Sequence, residues 1–324
     1  MRKFFMFIFV IGFITASIYT FFYLNLFYQS SAERIYASTP EKTKYRLALI
    51  VPELGNHLTH AVNEGVQEEA ERQEVSMVYS TAQKGALDQM VRQVEIAIAS
   101  KVDGIITIGI DHPDFNQVIN KATAKGIPVI TISVDAPHSL RKAYVGTDHL
   151  QAGKLLGSHI TEAVQGQGKI GVIVGNRSSS DQILRLQGLK ETLADSEHIQ
   201  LIELATEKEG RIQAFENTNE LLNRHPDMKA FVGLAADDGA GIVKAIRSRA
   251  KLDQFHIFTF GDTPEVIGLL QQGIIDATLI QDPKMMGQKS VQLMLQWLNG
   301  ENLPLKSRYH TPITIQAKYP EVQK

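Results

Sequence analysis

Short, unbroken apolar runs alternate along this chain with longer stretches whose apolar residues recur every three or four positions. Leu47 to Val51 is such a run, bounded by Arg46 and Pro52. Runs of this kind mark parallel strands covered on both faces. The next stretch places Leu58, Ala61, Val62, Gly65, Val66 and Ala70 at helical spacing, with Glu64, Glu68, Glu69 and Arg72 on the other side. Asn56 is placed to cap that helix. The beat continues with a strand at Met77–Tyr79, a helix marked by Leu87, Met90, Val91, Val94 and Ile98, and a strand at Gly104–Ile110. Asp114 then caps a helix marked by Phe115, Val118, Ile119 and Ala122, and Gly126-Ile-Pro128 turns into a strand ending at Ile132. The second half predicts strands at Ile170–Val174, Gln200–Glu203, Lys229–Leu234 and Phe255–Phe260, with helices between them. A last long helix carries Met286, Ser290, Leu293 and Trp297 and ends at Asn299-Gly300.

The two halves echo each other. Arg46-Leu-Ala-Leu-Ile-Val51 corresponds to Lys169-Ile-Gly-Val-Ile-Val174, Val102–Gly109 to Met228–Ala235, and Ile127–Ile132 to Phe255–Phe260, each at an offset of about 125 residues. A repeated α/β unit predicts two similar lobes, each an open parallel sheet. Such sheets bind ligands at the carboxyl ends of their strands, which here face a shared cleft.

The N-terminus breaks the beat. Met1-Arg-Lys3 is followed by Phe4 to Tyr28, an uncharged and mostly apolar stretch long enough to cross a bilayer. Basic residues before it and none just after place the N-terminus in the cytoplasm and the rest outside. Residues 1–30 are thus read as a transmembrane anchor or uncleaved signal, with Ser30-Ser-Ala32 as the cleavage site of the alternative, a cleaved signal peptide. The polar residues 31–44 read as a tether. A net charge of −2 gives no electrostatic reason to expect nucleic acid, and the absence of cysteine excludes thiol chemistry, zinc–thiolate sites and a lipid-modified cysteine.

Several stretches carry a resemblance: Leu47-Ala-Leu-Ile-Val-Pro-Glu-Leu-Gly-Asn56, Ala124-Lys-Gly-Ile-Pro-Val-Ile-Thr-Ile132, Gly261-Asp-Thr-Pro264 and Asp276-Ala-Thr-Leu-Ile-Gln281. In order and spacing the chain resembles the type I periplasmic solute-binding proteins, most of all their ribose-binding branch. The resemblance covers residues 45–319. It implies two Rossmann-like lobes joined by a three-crossing hinge near residues 145–148, 280–282 and 311. Residues 45–147 with 282–311 then form the first lobe, and residues 148–281 with 312–319 the second.

The resemblance also implies ligand residues. Asn56 matches a first-lobe asparagine that bonds a sugar hydroxyl, Arg185 a second-lobe arginine that donates to ring or hydroxyl oxygens, and Gln281 the hinge glutamine, side chains that suit polyols. The family's ring-sandwiching aromatic pair falls on Leu58 and Thr59. Its Asp-Arg after the fourth strand falls on Ser133-Val134, with Asp135 next. Its Asn-Asp asparagine falls on Ala235, near Asp237 and Asp238, and its Phe-Asp-Gly aspartate on Gly261, beside Asp262. These departures suggest a sugar other than ribose, or another small polar ligand, read with less aromatic stacking. As a cleft residue, Arg185 is expected to contribute little to the core. Plain readings stand beside these. Asp237, Asp238 and Asp262 also suit helix starts, and Asp111-His-Pro-Asp114 suits a strand-to-helix turn better than a metal site. His57 and His60 lack a third ligand in sequence.

No metal and no cofactor is expected. Among function classes, a transcription regulator would need a helix-turn-helix where the apolar segment stands. An enzyme would need a phosphate loop, a nucleophile elbow or a His-Glu-x-x-His, and none is present. The expectation is a membrane-anchored, extracytoplasmic binding protein for a small solute. Its partner is the permease of an ABC importer or a sensor histidine kinase, and the alternative is a cleaved, soluble importer component.

Overall fold

The computed structural model describes Met6, Tyr19, Thr20 and residues 43–52, 57–83, 86–175, 179–205, 210–249 and 254–318. The apolar segment Phe4–Tyr28, the tether and Asn56 lie almost wholly outside these. Among the described residues no helix is long and apolar enough to cross a membrane.

Residues from Tyr45 onward form one compact unit built on two six-stranded sheets. The first takes strands β1 (Arg46–Pro52), β2 (Ser76–Ala82), β3 (Gly104–Ile108), β4 (Val129–Ile132), β5 (Ala143–Gly146) and β11 (Arg308–His310), in the order β11-β5-β4-β3-β1-β2. All its pairings are parallel. The second takes β6 (Gln167–Val174), β7 (His198–Ala205), β8 (Met228–Gly233), β9 (His256–Phe260), β10 (Ala277–Gln281) and β12 (Ile313–Ala317), in the order β12-β10-β9-β8-β6-β7. Only the β10–β12 pairing is antiparallel among these. The helices are α1 (His57–Arg72), α2 (Leu87–Ala99), α3 (Pro113–Ala124), α4 (His149–Ala163), α5 (Ser180–Leu193), α6 (Arg211–Arg224), α7 (Asp238–Arg247), α8 (Pro264–Gln271) and α9 (Pro283–Leu298).

The apolar runs are strands because both sheet faces are covered. In β1, Leu47, Leu49 and Val51 join one core cluster with Val62 and Val66 of α1 and Val291 and Met294 of α9. The alternate Ala48 and Ile50 join another with Val94 of α2 and Phe115 of α3. The second sheet repeats this. Ile170, Val172 and Val174 pack with Leu156 of α4 and Leu189 of α5, while Ile173 faces Leu221 of α6 and Ile242 of α7.

The chain passes between sheets three times: from β5 into α4, from β10 into α9, and from β11 into β12. The passages are bonded to one another. Thr311 N donates to the Gly146 carbonyl at 2.9 Å, and the Thr147 hydroxyl donates to Gln281 Oε1 at 2.7 Å.

Several helix starts differ from expectation. His112, not Asp114, caps α3, its ring accepting from Asp114 N at 3.2 Å, because Pro113 takes the first helical position. Thr263, not Asp262, caps α8. Helix α7 starts at Asp238, whose carboxylate turns back to accept from Ala235 N at 2.8 Å, while Asp237 makes no side-chain cap bond.

Candidate functional site

A cavity of about 230 Å³ lies between the lobes. That is smaller than the range typical of drug-sized ligands and suits a compact solute. Its walls are strand ends and the turns that follow them: Pro52 closing β1, Ile108 closing β3, Ser133 and Val134 after β4, Ala235–Asp237 after β8, Gly261–Thr263 after β9, and Gln281 closing β10. Helix starts complete it, with His57, Leu58 and Thr59 from α1, and Ser179, Asp181, Gln182 and Arg185 from the loop before α5 and its first turns.

Leu58, Thr59, Ser133, Arg185, Ala235, Asp237, Asp262 and Gln281 therefore all line one cavity. Asn56 lies outside the described residues. Asp135 does not line the cavity. The chain turns sharply at Ser133, which adopts a left-handed φ of 63°, and this carries Asp135 behind the wall. There its carboxylate pairs with Arg141 (Nη2 to Oδ2 2.6 Å) and accepts from Thr131 Oγ1 at 3.1 Å and Ala136 N at 2.8 Å. A carboxylate so fully engaged is a structural ion-pair member.

Arg185 is the centre of the polar wall and is only 5% exposed. Its Nη1 donates to the Leu234 carbonyl at 2.7 Å, its Nε donates to His149 Nδ1 at 3.3 Å, and its Nη2 lies 3.4 Å from Asp181 Oδ2. The guanidinium stacks 4.7 Å from the centre of the Phe260 ring. Burial works to raise the Asp181 carboxyl. The charges of Arg185 and the bonds from Ser179 and the Gln182 backbone outweigh it and hold the group below its ordinary value. The expectation that Arg185 matters little to stability is therefore corrected: removing it leaves a buried carboxylate without its counter-charge.

Gln182 Oε1 accepts from Gly175 N at 2.9 Å, bracing the turn after β6. At the cavity edge His57 Nδ1 of the first lobe lies 3.5 Å from Asp262 Oδ1 of the second, and the His57 side chain is 50% exposed. Among the described residues no three ligating side chains gather to hold a metal ion. Sequence reasoning missed Asp181 and Gln182. Their signal was position, since they precede Arg185 by four and three residues and so share its helix face.

Residues 47–302 match the family described as periplasmic binding protein domain. The ribose import binding protein RbsB of Escherichia coli K12 is 23% identical over 278 residues, covering 86% of this chain and 88% of its own. The crystal structure of GanP, a glucose-galactose binding protein from Geobacillus stearothermophilus, is 34% identical with a TM-score of 0.81, covering 86% of this chain and 98% of that one. A solved XylFII–LytSN complex includes a chain 23% identical with a TM-score of 0.77, covering 86% and 99%. RbsB and GanP are both named as binding proteins. Two α/β lobes, a cavity at the strand ends between them and a match over most of its length place this chain in the periplasmic binding protein family, in the ribose-binding branch of type I.

Proposed function

We propose that the chain binds a neutral monosaccharide or related polyol by closing its two lobes on it, and presents the closed form to a membrane partner outside the cytoplasm. The observation that carries this is the Arg185–Asp181 pair at the wall of a small inter-lobe cavity, with Gln281 opposite a hinge threonine. Hydroxyl groups both donate and accept, so a wall offering guanidinium, amide and carboxylate suits them. Asp181, Asp237 and Asp262 face the cavity against Arg185 and His57, which disfavours sugar phosphates and sugar acids. Leu58 and Thr59 offer aliphatic walls in place of a ring sandwich. GanP and RbsB are named for glucose, galactose and ribose, and this chain is read as taking a sugar of that size.

The test is a thermal-shift panel of D-ribose, D-allose, D-glucose, D-galactose, D-arabinose and myo-inositol, followed by X-ray scattering. A stabilising sugar should reduce the radius of gyration, because the crossings at 146–149, 281–283 and 310–313 absorb the rotation. Binding without compaction defeats the closing mechanism.

The apolar segment Phe4–Tyr28 supports permanent anchoring. The mature N-terminus in native membranes, read by mass spectrometry, decides it: a soluble species starting near Glu33 defeats the anchor and favours a cleaved importer component. The partner is an importer permease, in line with the name of RbsB, or a sensor histidine kinase, in line with the XylFII–LytSN complex.

A further inference from the structure

His149 is the first residue of α4, 5% exposed, and its ring touches both lobes. Its Nε2 lies 3.0 Å from the Ser133 carbonyl oxygen of the first lobe. Its Nδ1 accepts from Arg185 Nε of the second at 3.3 Å. A guanidinium has donors only, so Nδ1 is the unprotonated nitrogen. The ring is therefore neutral, and its proton sits on Nε2 and is donated to Ser133. The same carbonyl accepts from the Tyr144 hydroxyl at 2.9 Å.

The backbones that carry the pair are also fixed. A Cβ added at Gly153 of α4 would lie 2.1 Å from the Arg185 carbonyl oxygen, and one at Gly188 of α5 would lie 2.1 Å from that of Leu150. The two helices thus cross at glycine distance, and the freedom left to Arg185 is that of its side chain.

We propose that His149 is a positioning residue for ligand binding: its neutral ring holds the Arg185 guanidinium toward the cavity and ties it to the first-lobe wall at Ser133. This rests on the reading of Arg185 as a ligand residue. The charged and titratable groups around the ring are Arg185 and Asp181 of α5, Tyr144 of β5 and the capping Asp148. A proton on Nδ1 would set donor against donor and place two positive charges together, offset in part by Asp181 and Asp148.

Two replacements separate the two ring nitrogens. Asparagine places an amide oxygen near Nδ1 but does not reach Ser133. Glutamine reaches the place of Nε2 and leaves Arg185 Nε without its acceptor. Full-length chain labelled with ¹⁵N-histidine and ¹⁵N-arginine should show the proton on Nε2 of His149. A resolved Arg185 Nε–H signal is expected in the unmodified chain and in His149→Asn, and its loss by exchange in His149→Gln. Titration with D-galactose and D-ribose should find His149→Asn within about threefold of the unmodified chain and His149→Gln weakened about tenfold. A proton on Nδ1, an undiminished Arg185 signal in His149→Gln, or equal losses in both variants overturns the proposal. Arg185→Lys separates the two readings. If it binds as tightly as the unmodified chain, the ligand role of Arg185 falls and this proposal with it. If it fails to bind while the Asn and Gln variants weaken equally, this proposal falls alone.

Discussion

The first lobe meets the cavity with Pro52, Leu58, Thr59, Ile108, Ser133, Val134 and the half-exposed His57, the second with Ser179, Asp181, Gln182, Arg185, Asp237 and Asp262. Both lobes are built on the same plan, a six-stranded sheet between helix layers. Each even closes one helix pair at glycine distance: Gly65 of α1 meets the Lys284 carbonyl of α9, as Gly153 meets that of Arg185. The described walls nevertheless differ. The second lobe holds a polar network whose members bond one another, while the first offers mainly shape and apolar surface. Duplicating a fold fixes where a site lies, and the residues after each strand decide what it recognises.

The strongest break of this contrast is Arg185→Ala. Leaving the mostly buried Asp181 without its counter-charge should cost about 3 kcal/mol of stability, the low end for a buried pair. Losing a charged donor should weaken sugar binding at least roughly tenfold. Denaturant titration and calorimetry measure the two; an unchanged stability would show that the second-lobe network is not a unit.

Acid is the next lever. Burial first, and then Arg185, push the His149 imidazole down from its ordinary 6.5 to about 4. As pH falls the unfolded chain takes up this proton before the folded one does. Stability is therefore full above about pH 6.5 and declines toward pH 4, by on the order of 3 kcal/mol. Asp181 acts in the same direction at lower pH, its contribution being lost as its depressed carboxyl protonates. Denaturant midpoints at about pH 7 and about pH 5 should separate in the unmodified chain and draw together in His149→Asn. Equal separation in both would remove His149 from the account.

A gentler change tests the other wall. Leu58→Ala removes apolar surface facing the ligand and should cost about 1 kcal/mol of affinity, or roughly fivefold, with a stability loss of similar size because Leu58 also packs against the first-lobe core. A loss as large as that of Arg185→Ala would erase the difference between the lobes. The smallest effect belongs to Arg211→Ala. Arg211 is exposed on α6 and pairs with Glu265 at the surface, so affinity should stay unchanged and stability should move by less than about 1 kcal/mol. Calorimetry showing weaker binding would place the site elsewhere.

The fold was legible because strands buried on both faces leave unbroken apolar runs, as at Leu47–Val51 and Ile170–Val174. Strands β5 and β11 were not read as strands, since four and three residues carry too little periodicity. The expected site residues reach the cavity where they close a strand or stand within two residues of its end, as Gln281, Ala235 and Asp262 do. Asp135 fails because one left-handed residue, Ser133, redirects the chain behind the wall. His149 was invisible for a different reason. Its two partners stand 16 residues before it and 36 after it, on opposite lobes, and nothing local marks a helix-start histidine as buried.

The three passages between the lobes are bonded side by side, Thr311 to Gly146 and Thr147 to Gln281. Their redundancy has a practical consequence. A single peptide-bond cut in one passage leaves the two fragments held by the others, so a nicked protein would still elute as one species under native conditions. The passage from β11 into β12 is accordingly a natural place for new termini: a permuted chain opened there keeps both remaining straps and should still respond to sugar.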